Sequence, residues 1–206
     1  MQREAIFKLS YGLFVLTAKE GEADNGCIIN TAIQIAESPT RISIAVNKAN
    51  HTHDMVLRTG AFNISVLAEN AGFGVFERFG FHSGRDTDKF ADCGYDDRAA
   101  NGIRYVPAGT NAVLCAAVAQ SVDCGTHTLF IAEVTEAFVL SKERSATYQY
   151  YFNNIKPKPQ SPPPVKDKKK GFVCKICGYV YEGETLPDDF VCPVCKHGAG
   201  DFEPLS

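Results

Sequence analysis

The chain has 206 residues, 45% of them hydrophobic and 22% charged, with 21 Lys/Arg against 24 Asp/Glu and a formal net charge of −3. That balance is ordinary for a folded globular chain, is unlike a disordered or collagenous one, and lacks the basic footprint that nucleic acid requires, so no nucleic-acid partner is expected. No apolar run reaches the roughly eighteen residues of a membrane span, and Met1-Gln2-Arg3-Glu4-Ala5-Ile6-Phe7-Lys8 carries no signal-peptide stretch. A cytoplasmic protein with no membrane partner is therefore expected.

In chain order, periodicity predicts a short helix over Gln2–Leu9, then strands over Gly12–Lys19, Cys27–Ala36 and Arg41–Asn47. A helix over Thr52–Thr59 follows, with Thr52 and Asp54 able to cap it, then a strand over Ala61–Leu67 and a helix over Gly74–Phe81. Strands over Ala112–Val122 and Thr128–Leu140 complete this region; the evidence is β-branched enrichment, partial alternation and turn residues in between. Many strands with few short helices predict a mainly β fold, an antiparallel barrel of the Greek-key kind. No GxGxxG follows a strand to open a helix, which argues against a Rossmann dinucleotide site.

One stretch of this barrel is rich in polar groups: Asn30, Thr31 and Gln34 on a strand, then Asn47, Lys48, Asn50, Thr52 and His53 in a loop before a helix start. Buried amides on the strand need partners, which a polar ligand would supply. Ammonium, amide, hydroxyl and helix N-terminal N–H groups in the loop can converge on a phosphate; the same spacing also suits a solvated turn. The scattered Cys27, Cys93, Cys115 and Cys124 are expected as small buried thiols in a reducing compartment, and Cys27 as a packed residue rather than a redox thiol.

The seam is residues 156–170, where five prolines within Pro157–Pro164 and a lysine cluster give a stiff, self-repelling spacer, either a swinging tether or a passive connector. The parts are expected as residues 1–155, the 156–170 linker and 171–206. Charge divides with them: residues 1–155 hold 13 Lys/Arg and 17 Asp/Glu, the linker 6 and 1, and residues 171–206 hold 2 and 6. The last part carries Cys174-Lys175-Ile176-Cys177 and Cys192-Pro193-Val194-Cys195, two CxxC knuckles separated by fourteen residues. Each knuckle aims two sulfurs at one ion, so the four cysteines predict a tetrathiolate site, which suits zinc or iron.

The residues around the knuckles, Cys177-Gly178-Tyr179-Val180-Tyr181 and Leu186-Pro187-Asp188-Asp189-Phe190-Val191-Cys192-Pro193, resemble rubredoxin from Phe172 to about Glu203. The resemblance implies one redox-active iron on Cys174, Cys177, Cys192 and Cys195. Phe190 stands where rubredoxins usually have tryptophan, and Lys196 replaces a glycine whose freedom Gly198 is expected to supply.

Asn25 to Gln34 (NGCIINTAIQ), Ser38 to Asn50 (SPTRISIAVNKAN) and Thr52 to Val56 (THDMV), with Gly125-Thr126-His127 downstream, are similar to the flavoredoxin and flavin-reductase-like family over about Met1 to Ile155. These are FMN-binding split β-barrels that dimerise around the cofactor. The resemblance implies that Asn30, Thr31 and Ala32 lie along the isoalloxazine, that Gln34 reaches the ribityl chain, and that Asn47, Lys48, Asn50, Thr52 and His53 contact ribityl and phosphate. His127 would approach the flavin or a nicotinamide, but Thr126 replaces a usual carboxylate, which argues against direct use of NAD(P)H. Together the halves resemble the high-molecular-weight rubredoxins. That implies a homodimeric electron carrier with FMN and one iron, an NAD(P)H-dependent reductase as donor and a flavodiiron oxygen or nitric oxide reductase as acceptor. The alternatives are an NAD(P)H:flavin oxidoreductase acting directly on nicotinamide, and a flavoprotein whose knuckles form a structural zinc ribbon for partner binding.

Overall fold

The computed structural model describes residues 3–157, 171–175, 179–192 and 198–205. They fall into two units, Met1–Lys156 and Pro157–Ser206. All of the linker beyond Pro157 lies outside the described residues.

The first unit is a seven-stranded antiparallel sheet in the order β2-β1-β5-β6-β7-β4-β3. Its strands are β1 (Phe14–Glu20), β2 (Ala23–Ile29), β3 (Ala32–Glu37), β4 (Thr40–Asn47), β5 (Ala61–Leu67), β6 (Thr110–Asp123) and β7 (His127–Val139). A 3-10 turn, Arg3–Lys8, precedes them. Helix α1 (His51–Thr59) joins β4 to β5, and α2 (Phe73–Phe76) runs into a π turn over Glu77–Phe81. A short α3 (Tyr148–Tyr150) ends in a second π turn, Tyr151–Ile155.

The expected strand Cys27–Ala36 is instead the end of β2 and most of β3, broken at Asn30–Thr31. The cause is partner choice. β2 pairs with β1 at one margin of the sheet and β3 pairs with β4 at the other. Seven flat strands would hold those margins about 29 Å apart at ~4.8 Å per strand. The three peptide units from Ile29 to Ala32 span at most about 11 Å. The sheet must therefore curl until its margins meet, which makes it a barrel with one unpaired seam.

Alternation then fills two cores. On β1, Leu16 and Ala18 point into the barrel with Ile44, Val46, Phe62, Ile64 and Phe130, while Val15, with Leu13 just before the strand, faces outward onto Val75, Phe76, Phe79, Phe90 and Val106. Helix α1 turns Met55 and Val56 into the inner core. The outer face of β1 and β5 also presents the buried polar residues Thr17, Asn63 and Ser65. These hold the long loop over residues 82–109. Thr17 Oγ1 donates to the Arg104 carbonyl (2.6 Å), Asn63 Nδ2 donates to the Ile103 carbonyl (2.9 Å), and Ser65 Oγ accepts from the Val106 N–H (3.0 Å). Lys89, only 4% exposed, reaches from this loop to the Gly26 carbonyl at 2.8 Å and the Phe79 carbonyl at 3.1 Å. Burial lowers the pKa of its ammonium.

In the second unit, β8 (Gly171–Cys174) lies between β9 (Val180–Glu182) and β10 (Phe202–Pro204). Its core is Cys174, Cys192 and Phe202, against which Phe172, Tyr179, Tyr181, Leu186 and Phe190 pack. Gly198 is extended (φ −78°, ψ 176°) and opens a 3-10 turn over Ala199–Asp201, so the left-handed freedom expected of it is not used. Lys196 lies outside the described residues.

Phe130 is fully buried opposite Ile44 and has its ring 5.8 Å from that of His53. Truncating it removes contacts from strand, opposite wall and helix together. Phe130→Ala is expected to destabilise the barrel by about 3–5 kcal/mol, read from the midpoint of urea unfolding.

Candidate functional site

Three chain segments meet at one end of the sheet. The start of β3 pairs with the end of β4, Ala32 opposite Ile44, and the Ala45 N–H donates to the Thr31 carbonyl (3.4 Å). Thr31 Oγ1 returns a bond to the Ala45 carbonyl (3.0 Å), so its hydroxyl clasps the two strands. Asn47 lies opposite His127 on β7, and the Lys48 N–H donates to the Thr126 carbonyl (3.1 Å). Asn30, Thr31, Ala32, Asn47, Lys48, Asn50 and His127 are thus gathered at one end of the sheet. Asn47 closes the loop by accepting the Ala49 N–H on its side-chain oxygen (2.9 Å). His127 Nδ1 lies 2.9 Å from Thr126 Oγ1.

Thr52 and His53, also expected to meet ribityl and phosphate, are buried and have protein partners. Thr52 is wholly enclosed and accepts a hydrogen bond from Asn25 Nδ2 at 3.0 Å. His53, 4% exposed, has both ring nitrogens occupied: Nδ1 lies 2.9 Å from Asp54 Oδ1, and Nε2 lies 2.8 Å from Thr128 Oγ1. In the neutral imidazole beside an ionised Asp54, Nδ1 carries the proton and Nε2 accepts the Thr128 hydroxyl. Both residues belong to the wall behind the loop. The helical stripe of α1 decides this, because positions 52, 53, 55 and 56 form its buried side. Nor do Thr52 and Asp54 cap α1. The N-cap is Asn50, whose side chain makes no capping bond.

Gln34 lies on the exposed margin strand β3, where its Nε2 donates to the Ala36 carbonyl (3.2 Å). Lys48 Nζ is paired with Asp123 Oδ1 at 2.7 Å, and that contact, with the Gly125 N–H, holds the Asp123 carboxyl below its ordinary range. Cys27 and Cys115 are buried, as expected of packed thiols, and burial pushes the Cys27 thiol up. Cys124, expected to be buried, is exposed, because the tip of the β6–β7 hairpin reaches past the core.

Sequence reasoning missed Arg85. Its guanidinium donates from Nη2 to Asp54 Oδ2 at 2.6 Å and from Nη1 to the Ala49 carbonyl at 3.2 Å, so it lies over the first turn of α1. The His53 hydrogen bond and the Arg85 charge hold the Asp54 carboxyl below the usual range. Sequence offers no signal for this, because the partners are 31 and 36 positions apart.

In the second unit, Cys174 and Cys192 are both buried in the same small cluster, 1% and 0% exposed. Cys177 and Cys195 lie outside the described residues. The Cys174 N–H donates to the Tyr179 carbonyl (2.8 Å). Phe190 fills the position of the usual tryptophan, its ring 4.7 Å from that of Tyr181 and 5.3 Å from that of Phe202. Two thiols brought into one core across the aromatic wall fit a thiolate metal site.

A split antiparallel barrel with a polar end, followed by a cysteine-knuckle unit, is the architecture of a flavin reductase-like fold joined to a rubredoxin-like module. The flavin reductase-like domain family matches residues 6–158, and the rubrerythrin, rubredoxin-like domain matches residues 172–203. This chain belongs to the flavin reductase-like family and carries a rubredoxin-like domain C-terminal to it. It is 37% identical over 231 aligned positions, covering all of both chains, to the high molecular weight rubredoxin of Moorella thermoacetica. It is 36% identical to the ferric-chelate reductase (NAD(P)H) of Archaeoglobus fulgidus, across 73% of this chain and 89% of that one. Among solved structures, the NADH:FAD oxidoreductase of Streptomyces globisporus superposes with a TM-score of 0.62 at 25% identity, covering 70% of this chain and 85% of that chain. Among the described residues, no helix is long and apolar enough to cross a membrane.

A carboxyl whose folded pKa is lowered stabilises the fold fully above its unfolded pKa, about 4, and ceases to do so as pH falls through the folded value. Asp54→Asn is therefore expected to be less stable than the parent at neutral pH, with the gap closing below about pH 4. Urea unfolding across a pH series checks this; a gap that stays constant into acid would contradict it.

Proposed function

We propose that this chain is an electron-transfer protein in which FMN at the polar end of the barrel receives electrons from an NAD(P)H-dependent reductase. Cys174, Cys177, Cys192 and Cys195 would hold a single iron, which would supply one-electron transfer to an acceptor such as a flavodiiron oxygen or nitric oxide reductase. The observation that carries this reading is the union of a flavin reductase-like barrel and a rubredoxin-like unit on one chain, matched along its whole length by a high molecular weight rubredoxin. A bound flavin exchanges electrons in pairs or singly and a four-thiolate iron exchanges them singly, so the two groups together suit dividing a hydride-derived pair.

The chain's own part is binding, orientation and docking. Asn30, Thr31 and Ala32 are assigned to the isoalloxazine, Gln34 to the ribityl chain, and Asn47, Lys48 and Asn50 to the ribityl and phosphate groups, with His127 beside them. Thr52 and His53 support that loop from behind. A homodimer is supported by margin strand β3, whose Ile33 (65% exposed) and Ile35 (45%) leave an apolar surface at the open seam. The acidic 171–206 segment would steer toward a basic surface on a redox partner in a salt-dependent way. A cytoplasmic location suits thiols kept reduced.

A second reading is direct oxidation of NAD(P)H, favoured by the likeness to a ferric-chelate reductase (NAD(P)H). Steady-state NADH oxidation by the purified chain alone separates the two. A carrier is expected to be slow until a reductase is added, whereas rapid turnover alone would establish the second reading. Iron, zinc and flavin quantitation with a visible spectrum is expected to give near-equal iron and FMN per chain; zinc with FMN would instead mark the knuckles as a structural ribbon. Cys177→Ser is expected to abolish the native iron site while FMN stays bound, since the units have separate cores; loss of both groups would refute independent domains.

A further inference from the structure

We infer that the cavity between helix α2 and the long loop over residues 82–109 binds a small organic carboxylate, held by Arg78 and by the buried ammonium of Lys89. The site is separate from the polar end of the barrel, since none of the residues assigned to the flavin lines it.

The cavity has a volume of about 620 Å³, within the range of small-molecule sites. Its opening is kept clear by Gly72 and Gly74, where a Cβ would meet no atom within 4 Å. Val75 and Ala108 supply an apolar wall. Tyr95 adds a half-buried ring whose hydroxyl makes no hydrogen bond among the described residues.

Charge in this lining is sorted by depth. The carboxylates of Glu77 and Asp88 are exposed, and Asp88 Oδ1 already accepts the Phe90 N–H at 2.8 Å. The cations lie deeper, Arg78 being half-buried and Lys89 only 4% exposed. Lys89 Nζ meets the neutral carbonyls of Gly26 and Phe79, and no described carboxylate forms an ion pair with it. A buried charge without a counter-charge is costly, and an anion in the cavity would supply one. Water screens the exposed Glu77 and Asp88, so they oppose an anion at the inner end only weakly.

Arg78 provides the geometry. Both Nη1 hydrogens go to loop carbonyls, Ala91 at 2.9 Å and Lys89 at 3.3 Å, which fixes the guanidinium beside the Lys89 backbone. The Nε and Nη2 edge makes no hydrogen bond among the described residues, and its parallel N–H groups match the two oxygens of a carboxylate. A monoanion is favoured over a phosphate dianion, because a second negative charge would face Glu77 and Asp88 with no further cation to match it.

The test titrates the full-length protein as purified, by calorimetry, with benzoate, with its neutral isostere benzamide and with inorganic phosphate. Benzoate is expected to bind at least about ten times more tightly than either. Arg78→Gln is expected to weaken benzoate about 10-fold and benzamide less than about twofold. Gly74→Leu, whose side chain enters free space and leaves the Arg78 bonds in place, is expected to abolish the binding of both. Failure of benzoate to bind, equal affinity for benzamide, or tighter binding of phosphate would each overturn the inference. So would benzoate binding that both variants leave unchanged, or that shifts the visible flavin spectrum, since the ligand would then lie elsewhere.

Discussion

Closure of the barrel through Asn30 and Thr31 is the constraint on which the rest of the first unit depends. Two residues connect strands that lie at opposite margins of a seven-stranded sheet. The curl this forces brings the start of β3 beside the ends of β4 and β7, so the link that closes the barrel is also part of the polar site. Asn30 and Thr31 cannot join a strand ladder because the chain changes partners there. Their polar groups are left for turn bonds, such as the Thr31 clasp on Ala45.

A second layer of organisation comes from polar side chains that are buried on purpose. Thr17, Asn63 and Ser65 replace apolar residues on the outer faces of β1 and β5, each meeting backbone of the long loop over residues 82–109. Lys89 and Gly84 fasten the near end of that loop, and the Arg98 and Arg104 contacts with Asp24 fasten the far end. A segment of this length with no strand of its own is ordered here because its carbonyl and N–H groups find fixed partners. Its reward is placement: the loop delivers Arg85 to the first turn of α1, where it meets Ala49 and Asp54.

The small unit works by different means. Three strands of three or four residues cannot bury enough apolar surface to be stable by packing alone, and its core consists of two cysteines and Phe202 under an aromatic wall. Metal binding to such a unit would be coupled to its folding, whereas the barrel has its own apolar core.

Much of this was legible in the sequence. Period-2 alternation marked β4, β5 and β7 to within a few residues, because a half-buried strand must alternate, and the helical stripe marked α1 for the same reason. The CxxC knuckles announced their chemistry locally, since two sulfurs on one turn need no distant partner. What sequence could not supply were relations between distant segments. It read Cys27–Ala36 as one strand because pairing partners are not encoded in periodicity. It could not show that Thr52 and His53 are buried, because residue type does not reveal which side of α1 faces inward until the barrel exists. It passed over Arg85, whose meaning lies in Ala49 and Asp54. Local pattern thus determined the elements and the metal-binding chemistry. Only the tertiary structure, by curling the sheet and folding the long loop back over α1, decided which polar groups are buried against the core and which stay exposed.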